Sequence, residues 1–463
     1  MLRLYDTRAR QVEPIVPAGS RILRMYTCGP TVYRHAHVGN LRSYLLSDLI
    51  RRVAERHGLR AVVCQNITDV GHLVDDAEID PTGEDKVLAQ ARREGRSAPE
   101  IARFYEDAFR RDTLALNIHT PQHTPRATET IDLMIELIAR LIEKGHAYAV
   151  ADGSVFFDAA SFPTYGEISG NRLDQLKPGH RVEGVDSRKR FHADWALWKA
   201  SGREMTWDAP WGRGFPGWHV ECSAMSLRFL GDRFDVHTGG IDLRFPHHED
   251  ERAQSNAATG HEVVGHWVHG EHLLFDGRKM AKSTGNVVLL SDVAEAGLDP
   301  LAVRLALMEH RYRQQMNLTW DTLRAADRTL RRWRLRVAEW AESPSRPIDA
   351  GHSARIQQAL DDDLDTPLAL RLLRDLERNE SVAPGSRFET FLHFDHILGL
   401  DLSTEIGKVP VLPPGASELL ERRERARADG DWAASDRLRD ELADLGVQVS
   451  DTPEGQTATP LQP

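Results

Sequence analysis

Four apolar positions spaced four apart, Leu41, Leu45, Leu49 and Val53, are widened into a stripe by Tyr44, Leu46 and Ile50. That stripe predicts an amphipathic helix over 41–57 with one buried face. An apolar run precedes it (21–26, RILRMY) and a short β-branched run follows it (61–65, AVVCQ). Both have the character of buried parallel strands. The three elements make a strand–loop–helix–strand unit whose loop is 26–40, YTCGPTVYRHAHVGN. A second strand-then-glycine pattern occurs at 234–240 (FDVHTGG), and a helix begins at Pro246, a residue suited to a first turn. Helices are also predicted over 99–116 and 131–144. Residues 148–157 read as a hairpin turning at Asp152–Gly153, and another turn falls at Asp276–Gly277. The pattern breaks up between 117 and 203, as an insertion between two halves of a doubly wound sheet would. It becomes helical over 300–340 and again over 354–379. Residues 409–414 (VPVLPP) form a linker, 417–451 a helix–turn–helix–strand module, and 452–463 a disordered tail.

Length and composition narrow the class. A chain of 463 residues buries a large core and holds roughly two to four domains. No apolar run approaches a membrane span, and the N-terminus lacks the pattern of a secretory signal. Three cysteines, Cys28, Cys64 and Cys222, cannot build a disulfide framework, which fits a reducing cytoplasm with thiols free for a metal. The net charge of −11 argues against a broad basic nucleic-acid surface, though not against a local one.

Three stretches carry candidate chemistry. The 26–40 loop holds Cys28, His35 and His37 and two glycines, Gly29 and Gly39, the latter at a helix start where free N–H groups can seat a phosphate. A plain loop with surface histidines would look the same. His247 and Glu251 lie four apart on one helix face and reach a common point. With Cys28 and Cys222 they form a set of sulfur, nitrogen and oxygen donors that Zn²⁺ accepts. His248 is the rival ligand, but its own i+4 neighbour is Arg252, not an acid. Buried thiols and an imidazole that merely supports a ligand remain the plainer alternatives. Cys64 lies inside an apolar strand and reads as core. The third stretch is 278–286 (RKMAKSTGN), where Lys279 and Lys282, three apart on a tight loop beside Ser283 and Thr284, can clamp a triphosphate. Thr68 and Asp69, in the NITD that closes the second strand, lie where α/β sheets bind ligands, although caps and Asx turns use the same residues.

Taken in order, Cys28, HVGN (37–40), GWHVECSAM (217–225), HTGGID (237–242), FPHHEDE (245–251) and KMAKS (279–283) resemble the class I aminoacyl-tRNA synthetases, specifically the cysteinyl-tRNA synthetase family. ALWK (196–199), DDDLDTPLAL (361–370) and DWAASDRLRDEL (431–442) extend the resemblance over nearly the whole chain. The family implies a Rossmann-like, doubly wound α/β catalytic domain over 1–116 and 204–258, with a connective insertion at 117–203. It implies a KMAKS loop and stem-contact region at 259–315, a tRNA-contacting helical bundle at 316–405, and a small α+β anticodon module with a disordered tail at 406–463. It implies ATP-dependent ligation of L-cysteine to tRNA(Cys) through cysteinyl-adenylate, by a cytoplasmic monomer, with one zinc ion per chain and Mg²⁺ accompanying ATP. By similarity, Cys28, Cys222, His247 and Glu251 hold the zinc. His37, Asn40, Lys279 and Lys282 act on the phosphates. Gly39, Gly240, Asp242 and Lys282 bind the nucleotide, and Gly29, Thr68, Trp218 and His237 line the cysteine pocket. The sequence departs from the commonest family pattern where 66–73 (NITDVGHL) lacks a basic residue shortly after NITD and where Phe215 stands in place of a frequent basic residue, which touches substrate contacts rather than the reaction class. Asn40 stands last in the HIGH motif, as in related enzymes, and Ala281 replaces the first serine of KMSKS. Selection of a thiolate by zinc needs no editing domain, and the insertion is too short and polar to suggest one.

Two other functions share parts of this pattern. A cysteine:amine ligase of the mycothiol-biosynthesis type has the same fold and zinc site but a shorter C-terminus, so residues 417–451 favour tRNA. A non-catalytic relative would not need HVGN and KMAKS. The basic strip 324–336 (RAADRTLRRWRLR) reads equally as a tRNA contact or as a solvated helix face.

Overall fold

The computed structural model describes residues 1–17, 21–71, 85–176, 186–202, 204–280, 285–408, 412–452 and 455–460, in two units, Met1–Ser403 and Thr404–Pro463. The first unit opens with an antiparallel pair, β1 (Arg3–Asp6) and β2 (Gln11–Pro14), followed by β3 (Ile22–Thr27), α1 (Val38–Arg56) and β4 (Arg60–Gln65). Helices α2 (Lys86–Glu94), α3 (Ala98–Ala115) and α4 (Ile131–Glu143) come next. A four-stranded antiparallel sheet is then built from β5 (Ala147–Ala149), β6 (Val155–Phe157), β7 (Trp195–Ala200) and β8 (Gly214–Pro216). The chain returns through α5 (Trp218–Leu230), β9 (Phe234–Gly240), α6 (His247–Thr259) and β10 (Val264–Gly270). After β11 (Leu273–Phe275), β12 (Arg278–Lys279), α7 (Leu290–Glu295), α8 (Pro300–Met308) and β13 (Met316–Leu318), the unit ends in four helices. These are α9 (Trp320–Ala341), α10 (Ala350–Asp361), α11 (Thr366–Arg378) and α12 (Pro384–Leu398).

The central sheet has the order β10–β9–β3–β4 with every pair parallel. Its alternating side chains feed two cores. Leu23, Met25 and Val63 pack with the stripe of α1, where Leu41, Leu45, Leu49 and Val53 are all buried. Tyr26 and Cys64 face the opposite way, among residues of α4, α5 and α6. This is the doubly wound sheet the sequence pattern predicts, flanked by helices on both faces. Chain order runs outward from β3 to β4 on one side and from β9 to β10 on the other, so it reverses between β3 and β9. The crevice beyond the carboxyl ends of those two strands is where such sheets take ligands.

Two expected boundaries fall one strand short. The antiparallel sheet of the insertion extends past residue 203 to β8, where Trp198 faces Pro216 across β7 and β8. The parallel sheet extends past 258 to β10, which pairs with β9 from Val264 to Gly270. In both cases the last strand is too short or too broken by Gly and Trp to show a clean alternation. The Asp276–Gly277 turn joins β11 and β12 as an antiparallel hairpin, with both residues at positive φ, and β13 adds to β11 in parallel. The basic strip of α9 turns largely on its own neighbours: Arg331 pairs with Asp327, Arg332 with Glu377, and the buried Arg334 with Asp299.

The second unit comprises α13 (Ala416–Ala428), α14 (Trp432–Asp444), β14 (Val447–Thr452) and β15 (Gly455–Pro460) around a small core of Ala416, Leu442, Val447 and Val449. The tail expected to be disordered from 452 instead supplies β15, which runs antiparallel to β14. Buried Arg423 donates to both Asp451 and Gln456 and so ties the hairpin to α13. Among the described residues no helix is long and apolar enough to cross a membrane.

Candidate functional site

The loops leaving β3, β9 and β10 enclose a cleft of about 390 Å³ at the switch point. Cys28, Gly29, His37, Gly39 and Asn40 line it from the first loop and α1. Trp218, Gly240 and Asp242 line it from the middle, and Glu271, His272, Lys279 and Met280 from the far side. His35 also lines it, with its exposed ring edge-on to Phe104 and Tyr105.

One end of the cleft is a buried cluster of donors. The Cys28 amide donates to the Thr238 carbonyl, which pins the thiol at the sheet edge. Its Sγ lies 4.0 Å from Cys222 Sγ and 3.6 Å from Glu251 Oε1, while His247 Nε2 is 3.0 Å from Glu251 Oε1. Donor separations of roughly 3.3–3.8 Å are what a tetrahedral zinc with bonds of ~2.0–2.3 Å requires, so the four side chains fit such an ion with small adjustments. A second set shares two members: Cys28, Glu251, His237 and His248 also bring their donor atoms within 4.8 Å of one another. His248 Nε2 is 3.2 Å from Cys28 Sγ, and His237 Nε2 is 2.9 Å from Glu251 Oε2.

The two sets differ in charge and in support. Burial pushes the Cys222 thiol up, but the hydrogen bond from Cys28 and the charge of His247 outweigh it and bring it down to about 6. Burial likewise opposes ionisation of Glu251, yet His237 and His247 hold it at about 2. Two of the four donors are thus anionic, the charge a divalent cation would need. His247 turns its other nitrogen to His219 Nδ1 at 2.7 Å, and His219 Nε2 lies 3.4 Å from Asp250, which accepts from Tyr165. Such an imidazole–carboxylate relay orients a ligating histidine. In the second set, His237 Nδ1 is buried with no hydrogen-bond partner. Burial and the neighbouring imidazoles keep His248 well below the usual histidine range; its Nδ1 meets His269, which burial lowers to about 3.

The other end is the start of α1. His37 is the N-cap, and its Nδ1 accepts the Asn40 amide at 3.2 Å while Asn40 Oδ1 accepts the His37 amide at 3.1 Å. This reciprocal cap explains why His and Asn stand three apart. Burial and nearby Arg34 lower His37 to about 4, so its ring is neutral with the proton on Nε2, available to a ligand. Gly39 sits in close approach: a Cβ there would meet the Met280 methyl at 2.6 Å and the His37 ring at 3.0 Å, so those side chains would have to shift. At Gly240 a Cβ would strike the Asp242 carboxylate at 2.3 Å.

Of the remaining expected residues, Lys279 lies exposed on β12 at the cleft wall, while Lys282 lies outside the described residues. Trp218 bridges the two ends: it lines the cleft and its ring lies 4.2 Å from that of His247. Thr68 sits behind the wall, buried, accepting from Asn66 Nδ2 and donating to Glu221 at 3.0 Å. Gly29 presses against that same layer, donating to Asn66 Oδ1 at 2.7 Å. His237 is buried beneath Glu251 and does not line the cleft. Sequence reasoning did not single out His219, Glu221 and His269. Their only visible signal is that His219 adjoins Trp218, Glu221 adjoins Cys222, and His269 falls within β10.

The catalytic-domain family model of class I tRNA synthetases (C) matches residues 14–328, and that of the cysteinyl-tRNA ligase anticodon binding domain matches 409–457. A cysteine–tRNA ligase of Burkholderia lata is 44% identical over 98% of this chain and 96% of its own. That of Thermus thermophilus is 42% identical over 98% of each. That of Salinibacter ruber is 41% identical over 98% of this chain and 97% of its own. Among solved structures, Mycobacterium tuberculosis methionyl-tRNA synthetase with methionyl-adenylate superposes with a TM-score of 0.56 at 18% identity, covering 90% of this chain and 96% of the other. The Agrobacterium radiobacter LeuRS–tRNA–LeuAMS complex superposes with a TM-score of 0.59 at 12% identity, covering 83% and 84%. These two show the shared fold.

Proposed function

The chain belongs to the cysteine–tRNA ligase family of class I tRNA synthetases, and from that membership we propose how its residues divide the work. The reaction is ATP-dependent ligation of L-cysteine to tRNA(Cys). The cysteine carboxylate attacks the α-phosphate of ATP, pyrophosphate leaves, and a terminal ribose hydroxyl of tRNA then takes the acyl group as AMP departs. The observation that carries the division is that one loop, 28–37, runs from the donor cluster to the cap of α1 and so places an amino-acid end beside a phosphate end.

At the amino-acid end, Cys28, Cys222, His247 and Glu251 would hold Zn²⁺. Bound there, the ion would take the thiolate of cysteine as a further ligand and discriminate against the serine hydroxyl. Trp218 and Gly29 form the wall of this pocket. Thr68 and His237 support it from behind, Thr68 through Asn66 and Glu221 and His237 through Glu251. At the phosphate end, the α1 N-terminus with neutral His37 and Asn40 faces the phosphates, and Gly39 leaves them room. Lys279 and Lys282 stabilise charge on the triphosphate with Mg²⁺, and Gly240 and Asp242 take the ribose. Catalysis by positioning and charge stabilisation needs no protein base.

In the helical region and the 404–463 unit we place tRNA contacts, the latter with the anticodon. We further propose a monomer in the cytoplasm, whose reducing conditions suit the free, buried thiols Cys28, Cys64 and Cys222. The C-terminal family match speaks against a small-molecule cysteine:amine ligase. Cysteine-dependent ATP–pyrophosphate exchange followed by charging of purified tRNA(Cys) tests the reading. Both activities are expected, and exchange without charging would transfer the assignment to the small-molecule ligase.

A further inference from the structure

Arg42 lies two residues beyond the cap formed by His37 and Asn40, and it is 5% exposed. A buried guanidinium ordinarily pairs with a carboxylate. This one donates instead to four backbone carbonyls: Nη1 to Glu271 at 2.7 Å and His272 at 3.0 Å, and Nη2 to Arg311 at 3.1 Å and Gln314 at 2.7 Å. We propose that Arg42 is a positioning residue for the nucleotide, holding the far wall of the cleft at a fixed distance from the N-terminus of α1.

The two backbone segments it grips explain the role. Residues 271–272 join β10 to β11, and both line the cleft opposite His37 and Gly39. Residues 311–314 lead into β13, which pairs with β11, and β11 in turn pairs with β12, the strand of Lys279. The planar fork of arginine satisfies two carbonyls from each segment at once, which a lysine ammonium cannot do with the same geometry. The second segment is anchored from its other side as well. Arg311 pairs with Asp365, and Arg313 Nε donates to Asp363 Oδ2 at 2.5 Å, in the turn between α10 and α11. Arg42 therefore holds the signature helix against a braced support rather than against a loose loop. Burial lowers its pKa to about 10, which leaves it charged at neutral pH, so its charge also lies behind the cleft.

The inference rests on the cleft being the ATP site. Its test is cysteine-dependent ATP–pyrophosphate exchange by the full chain, comparing wild type, Arg42→Lys, Arg42→Met and Arg334→Lys. Zinc content and thermal melts are measured alongside. Arg334 is similarly buried and also binds backbone carbonyls, those of Leu400 and Asp401, but away from the cleft, so it controls for general loosening. Arg42→Lys is expected to raise the KM for ATP about tenfold and Arg42→Met further, with the KM for cysteine within twofold and zinc unchanged. Arg334→Lys is expected to lower the melting temperature without moving the KM for ATP. An ATP KM within twofold of wild type in folded Arg42→Lys would overturn the proposal. So would equal shifts in both KM values, or failure of both Arg42 variants to fold, which would make Arg42 a determinant of the fold alone. Absence of exchange in the unmutated chain would instead refute the ATP-site reading, so the two failures are distinguishable.

Discussion

His37 serves the site by remaining uncharged. A protonated Nδ1 could not accept the Asn40 amide, so that half of the α1 cap exists only with the neutral ring. In an unfolded chain an imidazole titrates near ~6.5, whereas in the fold burial and Arg34 lower this one to about 4. Between those values the unfolded state binds the extra proton. The contribution of His37 is therefore complete above about pH 6.5 and is lost as pH falls toward 4. His37→Asn keeps an acceptor oxygen for the cap, so denaturant titrations at pH 5 and pH 7 should show a gap narrower by on the order of 1–2 kcal/mol than in wild type. The donor cluster gives a second expectation at this scale. Cys28→Ala removes a member of both donor sets and should abolish zinc binding by elemental analysis. Cys222→Ala should do the same if the pair of thiolates holds the ion, and near-stoichiometric zinc in that variant would move the ion to the His237–His248 side. Residue by residue, the i, i+4 spacing of His247 and Glu251 made their meeting legible, because helix geometry is local. Which of two adjacent histidines faces Cys222 was less so, since the structure gives each of them a place beside Cys28 and Glu251. The relay through His219 was not legible, because it depends on how α5 packs against α6.

Helix α1 is the element on which both walls and the interior converge. Its N-terminus caps the cleft, Arg42 holds the far wall, and one turn past Leu45 the carboxylate of Asp48 is sealed between two guanidiniums. Asp48 Oδ2 lies 2.7 Å from both Arg52 Nε and Arg304 Nη2, and Oδ1 accepts the His119 amide. Burial would raise its pKa, but the two arginines hold it below the usual carboxylate range. Arg304 also donates to the carbonyls of Leu116 and Leu398, so the cluster joins α1, the segment after α3 and the end of α12. Asp48→Ala strands two buried cations and should cost roughly 3–5 kcal/mol in urea unfolding, far more than an exposed ion pair. An effect under about 1 kcal/mol would mean that water reaches the cluster. The stripe of α1 was readable because its apolar residues repeat every four positions. Its charged residues were not: Arg42, Asp48 and Arg52 look like a solvent face in a sequence, and only tertiary packing turns them inward. For the same reason α12, with its mixed pattern, and the three-residue strand β13 escaped a reading based on periodicity.

At the scale of the whole molecule the two units keep separate cores. The buried clusters of the first run from Leu2 to Leu402, and that of the second from Ala416 to Val449. All described residues assigned to cysteine, metal and ATP belong to the first unit, whereas the anticodon-domain match, 409–457, falls in the second. The order of motifs along the chain revealed this division, because each motif is local even where its partners are not. The strand pairing that completes the small unit was not legible, since residues 455–460 (GQTATP) carry almost no apolar signal and are held through Arg423 and Gln456. The separation makes the two half-reactions separable by truncation. A chain ending at Ser403 retains every described residue of the cleft and its supports, so cysteine-dependent pyrophosphate exchange should stay within about threefold of wild type. Charging should fall by at least about tenfold, chiefly through a raised KM for tRNA, since a contact that does not touch the reacting atoms contributes binding rather than chemistry. A parallel loss of both activities, with zinc content and melting behaviour intact, would show instead that residues 404–463 act on the cleft itself.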